Sequence, residues 1–173
     1  MIIPMVIIVI SLLLDGILNN IFPYMVDNLS IFTPMFTILL PIIIYPFYIK
    51  NKKKYLITLI ITGIVYDIFY TNLLFYDGIV LFIFGLIMIK LYKNIGYNFI
   101  KVILYSILFI VLYELFNYIV IVIFNLVPIN IDKLIYKIVH SLLLNVIYSG
   151  ILYFIVKNID IITQKHYKIR KKS

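Results

Sequence analysis

Six long apolar stretches, separated by short polar or charged segments, constrain this chain more than any other feature. A membrane-spanning helix needs about 20 mostly apolar residues. Hydrophobic residues make up 65% of the chain and charged residues 13%, whereas soluble domains average about 45–50% and about 25%. We therefore predict an all-α integral membrane protein, a six-helix transmembrane bundle with no soluble catalytic domain. The predicted spans are residues 2–22, 31–49, 55–71, 75–89, 102–127 and 134–156.

Basic residues are distributed unevenly among the segments between the spans. Thirteen of the 15 lie after the second and fourth spans or in the basic tail at 157–173, and the other two, Lys133 and Lys137, lie near the start of the sixth span. Lys and Arg favour cytoplasmic loops, so the pattern predicts that both termini are cytoplasmic. The first span lacks the basic flank and cleavage site of a signal peptide, and we expect it to be retained. Residues 1–173 then form a single transmembrane domain ending in a short cytoplasmic tail.

The sequence lacks the residue patterns of common catalytic and metal sites. It contains no cysteine, only two histidines, and no phosphate-binding loop or nucleophile elbow. We therefore predict no enzyme activity, no catalytic or metal-binding residues and no cofactor. The net charge of +8 is better explained by topology and attraction to anionic membrane lipids than by nucleic-acid binding.

Three acids and one histidine within the predicted spans are candidates for membrane depth, where an ionisable residue is costly. Counting at 1.5 Å per residue puts three of them about 18–20 Å from the inner boundary and the fourth at a similar level. We predict an intramembrane polar cluster open to the extracytoplasmic side, joined by nearby tyrosine and asparagine side chains. It could hold the helices together, form a ligand or partner pocket, or conduct protons or ions. Its predicted members are Asp15, Asp67, Glu114 and His140.

Proline and glycine mark two further features of the spans. Pro41 lies inside the second span and predicts a kink or a break there. Gly63, Gly78 and Gly85 are the expected points of close helix approach.

The run from Gly63 to Leu74 contains an aromatic-Asp pair, Tyr66-Asp67, followed by Tyr70-Thr71 and a short turn. This run resembles the rod shape-determining protein MreD family. The Asp15-Gly16 and Thr33-Pro34 segments are compatible with the resemblance. Phe75 departs from it, since many relatives have glycine at this position.

The resemblance implies a multi-pass protein of the bacterial cytoplasmic membrane that acts in the elongation machinery for cell shape. The implied role is non-enzymatic: regulating lateral peptidoglycan synthesis with an MreC-like protein, MreB, and RodA with its partner transpeptidase. The family bundle is similar to the substrate-binding components of energy-coupling-factor transporters. The family-motif and partner-binding candidates are Gly63, Tyr66, Asp67, Tyr70, Thr71, Asn72 and Gly78.

The alternative function is a substrate-binding membrane component of a vitamin-type transporter. Such components commonly dock through small-residue motifs containing alanine in the first span. This chain contains no alanine, which favours the cell-shape role.

Overall fold

The computed structural model describes residues 2–21, 33–71, 73, 75–95, 97–124 and 130–170, with side chains described for all of these except 94–95 and 160–170. All regular secondary structure within these ranges is helical. The six α-helices are α1 (Ile2–Ile21), α2 (Leu40–Tyr48), α3 (Lys52–Tyr66), α4 (Tyr76–Ile95), α5 (Phe99–Ile123) and α6 (Ile131–Arg170). A 3₁₀ turn (Thr37–Leu39) leads into α2, and a π-helical turn (Asp67–Thr71) continues α3.

Four helical segments are long and apolar enough to cross a membrane: Ile2–Ile21, Lys52–Thr71, Phe99–Ile123 and Ile131–Ile159. The segment Thr37–Tyr48 is apolar but shorter, and α4 carries Asp77, Lys90 and Lys93 along its 20 residues. The prediction of an all-α protein with six helices is therefore confirmed. Six separate membrane crossings stay a prediction.

Helix α2 begins later than its apolar stretch suggested. Residues 33–35 have no regular structure, and Pro41 lies in the first turn of α2. The predicted kink or break at Pro41 takes the form of a helix start, because the α-helix begins at Leu40 after a 3₁₀ turn and an irregular segment. A proline in the first turn costs little, because its missing N–H has no helical acceptor there.

The short α2 is the centre of the bundle. It contacts α1, α3, α4, α5 and α6, and Ile42, Ile43 and Ile44 are fully buried. A helix that is apolar on all sides is stable only when other helices surround it. The bundle therefore packs around a short helix of nine residues.

Two glycines bring α3 and α4 together. A Cβ atom added at Gly63 would lie 2.4 Å from the Cα of Gly78, and one added at Gly85 would lie 2.7 Å from a methyl group of Leu59. The predicted close approach at these glycines is confirmed. The α3–α4 contact is also the most extensive in the bundle.

The outer faces of the helices are apolar. On α1, for example, the side chains of Val9, Leu13 and Ile17 are each more than half exposed. Apolar surface of this extent matches a lipid environment, in which the outside of a bundle has no need of polar residues.

Candidate functional site

The carboxylate of Asp15 on α1 caps the start of the helical turns that lead into α2. Its Oδ1 accepts the backbone N–H of Phe36 at 2.7 Å, and its Oδ2 accepts the N–H of Thr37 at 2.8 Å and the Thr37 hydroxyl at 2.5 Å. The first N–H groups of a helix have no helical acceptor, and membrane interiors offer no water to replace one. A fully buried acid from the neighbouring helix supplies it here.

Asn145 of α6 satisfies the irregular segment just before that turn. Its Oδ1 accepts the N–H of Met35 at 2.7 Å, while its Nδ2 donates to the carbonyl of Thr33 at 2.8 Å and to that of Ser141 at 2.6 Å. The side-chain amide thus pairs with a backbone N–H and a backbone carbonyl that have no partners in regular secondary structure. Asp15 and Asn145 together allow non-helical backbone to exist inside the bundle.

Asp67 repeats the capping arrangement at the start of α4. Both of its oxygens lie 3.1 Å from the backbone nitrogen of Asp77, and Oδ2 also accepts from Gly78 at 3.4 Å. The Thr71 hydroxyl donates to Oδ1 at 2.9 Å. The π-helical turn that begins at Asp67 thus carries two motif residues, Asp67 and Thr71, that hold the α3–α4 connection.

Asp77, near the start of the predicted fourth span, is a buried acid that was not among the predicted members of the polar cluster. Its Oδ1 accepts the hydroxyl of Tyr113 on α5 at 2.9 Å. Its Oδ2 is buried and has no hydrogen-bond partner in the described part of the chain. The available signal was its place in the first turn of a helix that starts in apolar surroundings.

Glu114 of α5 pairs with Lys137 of α6, with Nζ and Oε2 2.7 Å apart. Glu114 is fully buried, and the Lys137 side chain is 19% exposed. The sequence analysis counted Lys137 only as a topology signal. Its position inside the predicted sixth span marks it as a partner for a buried acid.

His140 contacts its own helix. Its Nδ1 lies 2.8 Å from the carbonyl oxygen of Tyr136, and the two rings stack with centroids 3.6 Å apart. The side chains of Asp15 and Asp67 thus lie at the starts of other helical segments, which they cap. Glu114 forms an ion pair between α5 and α6, and His140 contacts Tyr136 of its own helix. Of the motif candidates, Asn72 lies outside the described residues.

A cavity of about 740 Å³ lies beside these groups. It is bounded by the C-terminal halves of α1 and α5, the π-helical turn and the N-terminal parts of α4 and α6. Tyr70 forms one wall: its hydroxyl donates to the carbonyl of Leu12 at 2.9 Å, and its ring packs on Gly16, where an added Cβ would lie within 3 Å of ring atoms. The polar and aromatic lining residues include Asn19, Asn20, Tyr66, Phe69, Tyr70, Thr71, Tyr76, Tyr113, Asn117 and Lys137.

The predicted acids support the bundle while the cavity offers a binding space. Asp15, Asp67 and Glu114 all have partners on other elements, which favours the interpretation that they hold the helices together. No group of three or more acidic or histidine side chains suited to a metal ion occurs within the described ranges. The cavity has the size of small-molecule sites, about 300–1,000 Å³.

Apolar helices of spanning length, polar caps inside the bundle and a cavity at one end define an α-helical membrane protein. The chain belongs to the family of the rod shape-determining protein MreD, whose family model matches residues 1–159. This confirms the resemblance found in the run from Gly63 to Leu74 and makes the protein a membrane component of the cell-shape machinery. Comparisons with curated proteins and with solved structures each gave no match.

Proposed function

We propose that this protein is a non-enzymatic, multi-pass component of the bacterial cytoplasmic membrane that binds an MreC-like protein. Through this contact it acts with MreB, and with RodA and its partner transpeptidase, to regulate lateral peptidoglycan synthesis. Family membership over residues 1–159 carries the proposal. The helix starts that the Asp15 and Asp67 carboxylates cap support the proposal, because these contacts hold the helices in a fixed scaffold.

The proposed orientation has both termini in the cytoplasm, with a single transmembrane domain ending in a basic tail that contacts anionic lipid. Lysines cluster at the start of α3, the end of α4 and the start of α5, which are the helix ends opposite those that line the cavity. Under the positive-inside rule this arrangement favours a cavity that opens toward the extracytoplasmic side.

The proposed partner surface is the outer end of α3 and the turn that follows it. Ile68 and Phe69 are 56% and 73% exposed there, beside the motif residues Tyr66, Tyr70 and Thr71. Because Gly63 and Gly78 face each other, we propose that they support this surface by fixing α3 against α4. The remaining candidate, Asn72, follows directly in the sequence.

Site-specific photocrosslinking tests this surface. A photoreactive residue at Ile68 is expected to capture the MreC-like partner. The same residue at Ile61 is a matched control, because both isoleucines are on the same helical segment and both are 56% exposed. Equal capture at the two positions, or capture only from Ile119 on α5 and Ile147 on α6, would contradict the proposed surface.

The second candidate function is a substrate-binding transport component, with a bundle similar to those of energy-coupling-factor transporters. The cavity of about 740 Å³ favours it, and family membership favours the cell-shape role. Depletion of the protein distinguishes them. Rounded cells with delocalised wall synthesis support the first function, whereas unchanged shape with impaired vitamin uptake supports the second.

A further inference from the structure

Aromatic rings form much of the cavity wall. Tyr66, Phe69, Tyr70, Tyr76 and Tyr113 all line it. The ring centroids of Tyr66 and Tyr70 are 5.0 Å apart, and those of Phe69 and Tyr70 are 6.3 Å apart. The faces of aromatic rings attract organic cations, and several rings around one space can recognise a quaternary ammonium group.

Three of the acids near the cavity face a positive group. Asp15 and Asp67 each face the N–H groups of a helix start, whose partial positive charge offsets a carboxylate. Glu114 is paired with Lys137, the basic residue of the wall. Asp77 also lies in a first helical turn; its Oδ1 accepts the Tyr113 hydroxyl, and its Oδ2 has no hydrogen-bond partner among the residues described. One buried carboxylate therefore lies directly behind the Tyr113 part of the wall.

The Tyr66 hydroxyl adds a polar group to the wall. Tyr66 is 8% exposed and lines the cavity, and no hydrogen bond to its hydroxyl occurs within the described ranges. The amides of Asn19 and Asn20 extend the polar lining at the cavity edge, so a ligand with a hydroxyl or ester group beside its charge would find partners there.

We propose that this cavity binds an alkylammonium cation. The rings hold the ammonium group, Asp77 provides the compensating charge behind Tyr113, and the Tyr66 hydroxyl accepts or donates a hydrogen bond to the polar end of the ligand. This site goes beyond the proposed scaffold function and does not depend on it. The ammonium group can belong to a soluble amine or to a lipid headgroup, since both present the same chemistry.

Choline and its neutral isostere 3,3-dimethyl-1-butanol are the probes, because they differ in charge and hardly in shape. Binding is measured by calorimetry on the full chain in phosphatidylglycerol nanodiscs. We expect choline to bind at least about tenfold more tightly than the isostere, the factor that loss of a desolvated cation–π contact implies. Equal binding of the two probes to the wild-type protein, or no binding of choline, would overturn the proposal.

Variants place the site. Asp77→Asn and Tyr66→Leu are each expected to weaken choline binding by about tenfold, whereas Asp132→Asn, which removes an exposed acid at the start of α6, leaves it unchanged. Size-exclusion profiles and melting temperatures check that each variant folds. If Asp77→Asn does not fold, Tyr66→Leu carries the test. Wild-type affinity in a folded Tyr66→Leu variant would overturn the assignment of the site.

Lipid composition identifies the source of the cation. If the natural occupant is a lipid headgroup, adding phosphatidylethanolamine to the nanodiscs competes with choline and weakens its apparent affinity. If the occupant is a soluble amine, the affinity stays the same. Both results presuppose a cation site, and they assign its ligand.

Discussion

The Asp15 carboxylate of α1 accepts the backbone N–H of Thr37 at 2.8 Å and the Thr37 hydroxyl at 2.5 Å. One acid on the first helix therefore fixes where the central helical segment begins. Since α2 contacts every other helix of the bundle, the position of this cap sets the geometry of the whole bundle.

Replacing Asp15 by Ala is expected to destabilise the protein by about 1–3 kcal/mol for each buried donor left without an acceptor. Thr37→Val keeps the side-chain volume and removes only the hydroxyl bond, so its cost is expected to be about 1 kcal/mol. Chemical unfolding in detergent measures both effects. Asp132→Asn is the control, and a cost for Asp15→Ala no greater than for this control would contradict the capping role.

Gly63→Ala is expected to disrupt the α3–α4 contact, because the new Cβ would lie 2.4 Å from backbone atoms of Gly78. Backbone cannot move aside as a flexible side chain can, so we expect a loss of about 1–3 kcal/mol from overpacking. Gly150→Ala is the matched control: its Cβ would have ordinary contacts at 3.6 and 3.7 Å. In a helix that change should stabilise by about 0.5–1 kcal/mol. Melting temperatures that fall equally for both variants would argue against a specific contact.

Phe75 has a φ of 70°, a left-handed conformation that costs a side-chain-bearing residue about 1–2 kcal/mol. Phe75→Gly is expected to be more stable than Phe75→Ala by about 1 kcal/mol, because both remove the exposed ring and only glycine relieves the backbone. Thermal unfolding of the two variants tests this. Equal stabilities would show that the turn adopts a different conformation in the membrane.

Replacing one residue of the Glu114–Lys137 ion pair should destabilise the protein more than replacing both. Lys137→Met leaves a buried carboxylate without its cation and is expected to cost about 3–5 kcal/mol. The double variant Glu114→Gln with Lys137→Met should recover much of this loss, since no buried charge remains. A double-mutant cycle measures the coupling. Additive effects of the two substitutions would contradict a direct ion pair.

Local patterns in the sequence predicted much of this architecture. Apolar stretches indicated six helices, the glycines indicated where α3 and α4 approach, and the run around Tyr66-Asp67 indicated the family. The start of α2 could not be placed, because the apolar stretch of the second span continues through residues 33–35, which are not helical. The hydropathy of a segment indicates that its residues are buried in an apolar medium. It does not indicate at which residue a helix begins.

The class of protein and the number of helices could be predicted from the sequence, because they depend on composition and on the lengths of the apolar stretches. The direction in which each side chain faces, and the helix that it contacts, depend on how the helices pack together. Asp15 therefore became a cap for another helix, Asp77 and Lys137 emerged as partners of Tyr113 and Glu114, and Asn145 bound the backbone of residues 33–35. Each of these contacts joins residues far apart in the chain. The spacing of residues along one helix does not predict which other helices pack against it.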